Sequence, residues 1–347
     1  MSHLTYPEAG LIGLIQGVTE LFPISSLGHS VLIPALIGGS WSQDLDVSKA
    51  ESPYLAYIVG LHVATALAMI IYFWRDWVRI VGAFFASVKH VIAPAPGTER
   101  WEPQTTDQKL AWMIILATIP VGIAGLALEH LFRVAFSKPI LTSVFLFANG
   151  LILLAGERAR RRSADMEAQE IAADLQTVSE RQKAAVAAGT GGGTGRHSSG
   201  QRALKQQHAS LAVESDRRLT GIGWAGAFVL GAAQILALLP GISRDGIVMV
   251  GGLFRGLSRQ DAARFSFLLS APVILAAGLL KVPDLTGPLG AGIHGPILFG
   301  SLLSFVAAFL SLRFLMRYFS DPKRTLTPFA IYSLCVGFGC LVYFAVR

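Results

Sequence analysis

Apolar stretches of membrane-spanning length constrain this chain more than any other feature. A helix through hydrocarbon needs about 20 mostly apolar residues. Residues 54–74, 109–130, 139–156, 295–317 and 326–346 come up to that length, and a sixth, somewhat shorter stretch runs over 263–281. Two further apolar regions, 7–38 and 222–255, are interrupted near the middle, from Pro23 to Gly28 and from Pro240 to Gly246. Each half is too short to span. Non-helical backbone at membrane depth survives only where protein buries it or where it lines a wet cavity. These regions therefore predict re-entrant hairpins or broken spanning helices. Composition agrees: 52% of residues are apolar and 15% charged, against about 25% charged in soluble domains. An ordinary cytosolic enzyme is excluded. The net charge of +7 fits loops held at an anionic membrane face, so no nucleic-acid partner is expected. Cys335 and Cys340 share one apolar segment and offer neither a disulfide framework nor a zinc set, so they read as small core residues. The opening MSHLTYPEAG lacks the basic flank of a cleaved signal peptide.

The two interruptions resemble each other. Pro23-Ile24-Ser25-Ser26-Leu27-Gly28 and Pro240-Gly241-Ile242-Ser243-Arg244-Asp245-Gly246 both carry Ile-Ser-x-x-Gly after a proline, with Gln16 and Gln234 upstream. Each is followed by three candidate spans. The expected fold is an all-α polytopic membrane protein built as an inverted repeat of one re-entrant hairpin plus three transmembrane helices. The expected organisation is a first membrane repeat over 1–157, a polar insertion over 158–218 and a second, inverted repeat over 219–347. The insertion opens with Arg158, Arg160, Arg161 and Arg162 and holds a Gly-rich run, which predicts a flexible linker. Loops with Arg75, Arg79, Lys89 and Arg100, the insertion, and Arg313, Arg317, Lys323 and Arg324 fall on one side if both hairpins return to their side of entry. The excess of Lys and Arg makes that side cytoplasmic and puts both termini outside.

Ionisable residues inside a membrane are expensive and default to functional candidates. In the first interruption these are Glu20 and His29, accompanied by Gln16, Thr19, Ser25 and Ser26; in the second they are Arg244 and Asp245, beside Ser243. Gln16 and Glu20 stand four apart and share a helix face, and His29 follows the turn, where it can fold back toward that face. A lone serine commonly bonds its own backbone and a lone histidine commonly packs in a core; two matching interruptions carrying the whole set argue against that for the group. His62, mid-span, reads as a satisfied core histidine, with a place near the site left open. Arg244 offers a planar fork of donors suited to phosphate, and helices starting near His29 and Gly246 would aim their N-termini at an anion. Glu20 can accept a proton or hold a divalent cation, and His29 can act as acid, base or nucleophile. The sum is an anion site with catalytic groups at membrane depth, which fits a phosphorylated lipid.

The run from Gln16 to His29, together with Pro240 to Gly246, resembles the two signature motifs of undecaprenyl-diphosphate phosphatases of the BacA type. The likeness extends through Tyr72-Phe73-Trp74-Arg75, Gly251-Gly252, Gly256-Leu257-Ser258-Arg259, Phe265-Ser266-Phe267-Leu268-Leu269 and Pro328-Phe329-Ala330-Ile331-Tyr332, leaving out only 158–218. It implies a bacterial plasma-membrane hydrolase that removes the terminal phosphate of a C55 polyprenyl diphosphate. It also implies dependence on a divalent cation, magnesium or calcium, and leaves a homodimer open as the assembly. The roles it carries over fall on Glu20, Ser26, His29 and Arg244 as catalytic residues. Gln16, Ser25, Gly28, Ser243, Asp245 and Gly246 are the substrate-binding set, and Glu20 and Asp245 the metal ligands. The nucleophile stays open between Ser26, His29 and water.

Three positions depart from the family pattern. Gln16 stands where the family's first glutamate is usual, Leu27 replaces a threonine and Asp245 replaces a serine. Asp245 either pairs with Arg244 or supplies the carboxylate that Gln16 lacks; the second is the expectation taken forward. A polyprenyl-phosphate transporter or a non-catalytic homologue is the alternative reading.

Overall fold

The computed structural model describes residues 4–45, 53–93, 102–103, 105–136, 138–162, 214–280 and 293–347. Among these, every regular element is a helix. Helices α1 (Tyr6–Thr19) and α2 (Ser26–Ile37) flank the first interruption. Then come the short α3 (Gly39–Asp44), α4 (Pro53–Tyr72), α5 (Trp74–Ile92), α6 (Thr106–Phe136) and α7 (Pro139–Arg162). In the second half, α8 (Glu214–Gly221) and α9 (Gly223–Ala233), with a 3-10 continuation over Gln234–Leu238, lead into the second interruption. It is followed by α10 (Arg244–Phe254), α11 (Arg259–Leu280), α12 (His294–Ser320) and α13 (Thr327–Val346). Of the insertion, the part expected to be a flexible linker lies outside the described residues.

The expected spans are all helices, and α6, α7, α11, α12 and α13 are each long and apolar enough to cross a bilayer. Large side chains such as Ile123, Leu302 and Phe338 stay exposed on them, as lipid-facing helices require. Cys340 is buried as expected, but Cys335 is exposed, which corrects its reading as a core residue: it lies on the outward strip of α13 with Ile331 and Phe338. Two sharp bends were not legible in the sequence. Between α4 and α5 the axis turns by 85°, and between α8 and α9 by 80°. At the first, an all-round apolar helix gives way to one that opens Trp74-Arg75-Asp76-Trp77, suited to lie along the interface. At the second, Gly223 adopts a φ of +72°, a left-handed conformation that glycine takes without steric cost.

The packing is reciprocal between the halves. Helix α1 of the first interruption lies along α12 of the second half, and α9 of the second lies along α6 of the first, while α4 and α11 pack on each other. Small residues permit the closest of these approaches. A Cβ added to Gly13 or Gly17 would overlap the carbonyls of Gly300 and Ser304, and one added to Gly231 would overlap that of Ala117. Close backbone approach is what holds membrane helices together, because lipid supplies no hydrophobic drive between them.

One end of the bundle gathers the charge. Arg264 on α11 pairs with Asp216 on α8 at 2.7 Å and with Asp76 on α5 at 2.6 Å. Arg79 pairs with Asp76, Asp107 and Asp216. Glu157 near the end of α7 takes Arg259 at 2.5 Å and accepts from the Leu326 amide at 3.2 Å. The start of α11 therefore anchors both helices that border the insertion. Replacing Gly17 by Val should cost about 3 kcal/mol or more through overpacking against backbone, whereas Gly82→Ala, which meets open space, should be neutral. Thermal melting of the full chain in detergent checks both, and an unchanged melting temperature for Gly17→Val would contradict the α1–α12 contact.

Candidate active site at the meeting of the two interruptions

Both interruptions end in the same capping device. The Ser25 Oγ accepts from the Gly28 amide at 3.2 Å and caps α2; the Ser243 Oγ accepts from the Gly246 amide at 3.1 Å and caps α10. Helices α2 and α10 thus begin at Ser26 and Arg244, a little earlier than the His29 and Gly246 expected from sequence. The two turns touch. The Gly241 amide donates to the Ser25 Oγ at 3.1 Å, and a Cβ on Gly28 would come 3.0 Å from the Gly241 Cα. Ser25 pays for this place with a φ of +69°, a strained conformation for a residue with a side chain.

A single amide on α7 joins the two turns. The Asn149 Nδ2 donates to the Pro23 carbonyl at 2.9 Å and to the Ser333 Oγ at 3.3 Å, while its Oδ1 accepts from the Ser243 amide at 2.9 Å. Sequence reasoning missed Asn149. The signal was a lone amide in the apolar run Phe145-Leu146-Phe147-Ala148-Asn149-Gly150-Leu151, which an intramembrane polar residue already flags.

Glu20, just past α1, is the hub of the cluster and is buried. Its Oε2 accepts from the Gln16 Nε2 at 2.9 Å, one helical turn back, and from the Ser26 Oγ at 2.5 Å. Its Oε1 accepts from the Arg244 Nη2 at 2.5 Å, across from the other half of the chain. Charge-assisted bonds of this kind are about twice as strong as neutral ones. His62 belongs here too: its Nε2 stands 3.5 Å from the Glu20 Oε2, so the open alternative for it was the right one. Its Nδ1 lies 2.8 Å from the Ile58 carbonyl, which can only accept, so Nδ1 carries a proton. Ser26 and Arg244 are only partly buried, whereas Glu20, Gln16, Ser25 and Ser243 are buried. The reachable edge of the cluster is therefore a hydroxyl beside a guanidinium. The Arg244 Nε is buried without a partner, a donor left for a ligand anion.

Two expected residues point elsewhere. His29 does not fold back toward Gln16 and Glu20. Its Nδ1 bonds the Ser25 carbonyl at 2.7 Å, and its Nε2 meets the Tyr332 hydroxyl at 2.8 Å with the rings stacked. Since a carbonyl only accepts, Nδ1 carries the proton in the neutral ring and Nε2 accepts from Tyr332. Asp245 makes no bond with Arg244 or Glu20. Its Oδ1 accepts from Ser266 at 2.7 Å and Ser270 at 2.5 Å, four apart on α11. The side chain follows the α10 face that packs on α11, while its Oδ2 is buried and unpartnered, so one oxygen of Asp245 remains for the metal-ligand reading. Among the described residues, no group of three or more His, Cys, Asp or Glu is arranged to hold a metal ion. The oxygens that remain are the Glu20 carboxylate, the Gln16 Oε1 and the Asp245 Oδ2, the last two buried and unpartnered. Such a set fits a hard cation whose other ligands are substrate phosphate oxygens and water.

The family described as "Bacitracin resistance protein BacA" matches residues 9–191 and 199–339. A protein of Mycolicibacterium paratuberculosis named undecaprenyl-diphosphatase is 51% identical over 346 residues, covering 100% of this chain and 99% of its own length. One of Frankia alni, named undecaprenyl-diphosphatase 2, is 51% identical over 360 residues and is covered completely, as is this chain. A more distant one of Chromobacterium violaceum, also named undecaprenyl-diphosphatase 2, is 35% identical and covers 97% of this chain.

The Glu20–Arg244 pair makes a stability prediction of its own. Arg244→Met leaves a buried carboxylate uncompensated and should destabilise by about 3–5 kcal/mol. Adding Glu20→Gln to it should recover most of that loss. Detergent melting curves of the two single variants and the double variant test the coupling, and simple additivity would show that the pair does not interact.

Proposed function

The chain belongs to the BacA family, and we propose that within it Glu20, Ser26 and Arg244 carry the phosphoryl transfer. The protein is a multi-pass bacterial membrane hydrolase that takes the terminal phosphate from undecaprenyl diphosphate. The product is the monophosphate carrier of peptidoglycan synthesis, and the activity links the family to bacitracin resistance. The observation that carries the assignment of roles is the 2.5 Å bond from the Ser26 hydroxyl to Glu20, whose other oxygen holds Arg244.

In the proposed reaction the diphosphate binds at the exposed edge of the cluster. Arg244 and the N-termini of α2 and α10 receive its charge. The Ser26 Oγ attacks the terminal phosphorus in line while its proton passes to Glu20. The bond from that phosphorus to the bridging oxygen breaks, and undecaprenyl phosphate leaves. Glu20 passes the serine proton to the departing undecaprenyl phosphate, takes another from the water that attacks the phosphoserine, and returns it to the Ser26 Oγ as the phosphorus–Oγ bond breaks and inorganic phosphate departs. His62, next to Glu20, is placed to exchange the proton with it. Ser26 is preferred over His29 as nucleophile because both His29 nitrogens are already bonded, to Ser25 and Tyr332. A divalent cation, magnesium or calcium, would be held by Glu20 and the Gln16 Oε1 and would supply neutralisation of phosphate charge. All these groups come from one chain, so the site needs no second copy.

The fold is read as an inverted repeat of residues 1–157 and 219–347, each a re-entrant hairpin followed by three spans. The support is the reciprocal packing of α1 on α12 and α9 on α6, with matching serine caps at both turns. The charged end faces the cytoplasm by the excess of Lys and Arg, with the termini outside.

Phosphate release from undecaprenyl diphosphate by the purified full chain in detergent tests the chemistry. Ser26→Ala and Arg244→Ala should each lower turnover by roughly a thousandfold or more. His29→Ala should lower it no more than roughly tenfold, the worth of a lost positioning bond. EDTA should stop release, and magnesium or calcium should restore it. Near-normal turnover in Arg244→Ala would sink the scheme; a larger loss in His29→Ala than in Ser26→Ala would move the nucleophile to His29. Orientation is tested separately with a membrane-impermeant maleimide on intact cells. Arg347→Cys should label at once and Glu214→Cys only after permeabilisation, and the reverse pattern would invert the assignment.

A further inference from the structure

Two arginines at the charged end of the bundle are neutralised: the partly buried Arg259 by Glu157, and the buried Arg264 by Asp76 and Asp216. Arg313 and Arg317 are different. They stand one turn apart near the end of α12, on one face of the helix. Among the described residues neither guanidinium has a carboxylate or other hydrogen-bond partner. Both are exposed. Together with Ile71, Tyr72, Trp74 and Phe309 they line a groove of about 550 Å³ between the α4–α5 elbow and the last turns of α12. The groove is open to its surroundings along much of its length.

The walls say what the groove accepts. Two guanidinium groups side by side match the oxygens of a phosphate in geometry and charge. Arg75 adds a third positive charge at the rim, with its guanidinium 5.4 Å from the Trp74 ring centre. The rest of the lining is apolar and aromatic, and it runs out to the lipid-facing side chains Leu310 and Phe314, which are exposed. A soluble phosphate ester would leave those walls wet. A membrane lipid satisfies both parts, with its phosphate on the arginines and its upper acyl carbons along the aromatic wall. Location agrees: the groove is at the bend where α5 turns away from the bilayer core, at the level where Trp and Tyr anchor to headgroups.

We propose that this groove binds the phosphate headgroup of an anionic phospholipid from the leaflet at the charged end, held by Arg313 and Arg317. The site shares no residue with the Glu20 cluster. A lipid there braces the α4–α5 elbow against α12, the helix along which α1 packs.

Native mass spectrometry of the full chain, released from mild detergent with phosphatidylglycerol or phosphatidylcholine of the same acyl chains, tests this. Phosphatidylglycerol should be retained in preference. Arg313→Gln with Arg317→Gln should weaken retention roughly thirtyfold, and either change alone roughly fivefold, since each arginine contributes separately. The single variants keep the test open if the double variant fails to fold. Lys323→Gln with Arg324→Gln, an equal loss of charge in the adjoining loop, should leave retention as it was. Equal retention of the two lipids would overturn the proposal, as would equal loss in the loop variant. Displacement by inorganic phosphate would make the site one for a soluble ion, and preference for undecaprenyl phosphate over phosphatidylglycerol would make it one for the carrier; either result overturns the phospholipid assignment.

Discussion

Backbone amides and carbonyls at membrane depth have no water to bond, and in the proposed re-entrant arrangement the two interrupted segments place several of them there. Each turn is satisfied by the other and by the helix between them. Gly241 donates to Ser25, and Asn149 serves Pro23 and Ser243 together. Either turn alone would leave the Gly241 amide and the Ser25 hydroxyl without each other. The solution brings the two halves of the chain into contact at their least regular points, and it is there that Ser26 and Arg244 begin their helices. Satisfying the backbone and assembling the site are one event.

A buried carboxylate faces the same constraint more severely. Glu20 is tolerable because Gln16, Ser26 and Arg244 all donate to it. Its neutralising charge comes from the opposite half of the molecule. The arrangement also suits the proposed chemistry: the carboxylate that would accept the serine proton already holds its hydroxyl, and the guanidinium that stabilises the carboxylate keeps an unpartnered buried Nε. Substrate phosphate would take over part of the role that Glu20 plays for Arg244.

The departures from the family pattern become intelligible in these terms. Gln16 gives up a charge but donates to Glu20, so Glu20 carries its negative charge without a second carboxylate beside it. Asp245 binds Ser266 and Ser270 on α11 through Oδ1 and leaves Oδ2 unpartnered. At the charged end, ion pairs lock α5, α7, α8 and α11 together, which leaves the two arginines of α12 as uncompensated charge beside a walled groove. The contrast between paired and unpaired arginines separates scaffold from binding surface there.

Much of this was legible in residues alone. Long apolar runs dictate spanning helices because the bilayer permits little else, and Pro23 and Pro240 mark interruptions because proline lacks an amide and bends the helix. Glu20, Ser26 and Arg244 stood out because ionisable groups are rare in such runs. What the sequence could not decide was the direction in which each side chain points across the bundle. His29 and Asp245 sit in the motifs yet turn to Tyr332 and to α11, while His62 and Asn149 sit outside the motifs yet reach Glu20 and the two turns. The bends at Phe73 and Ile222 were hidden for a similar reason. Local pattern sets which residues are helical and apolar, but the partner of a buried polar group is chosen by whichever helix packs against it, and that depends on the whole tertiary arrangement.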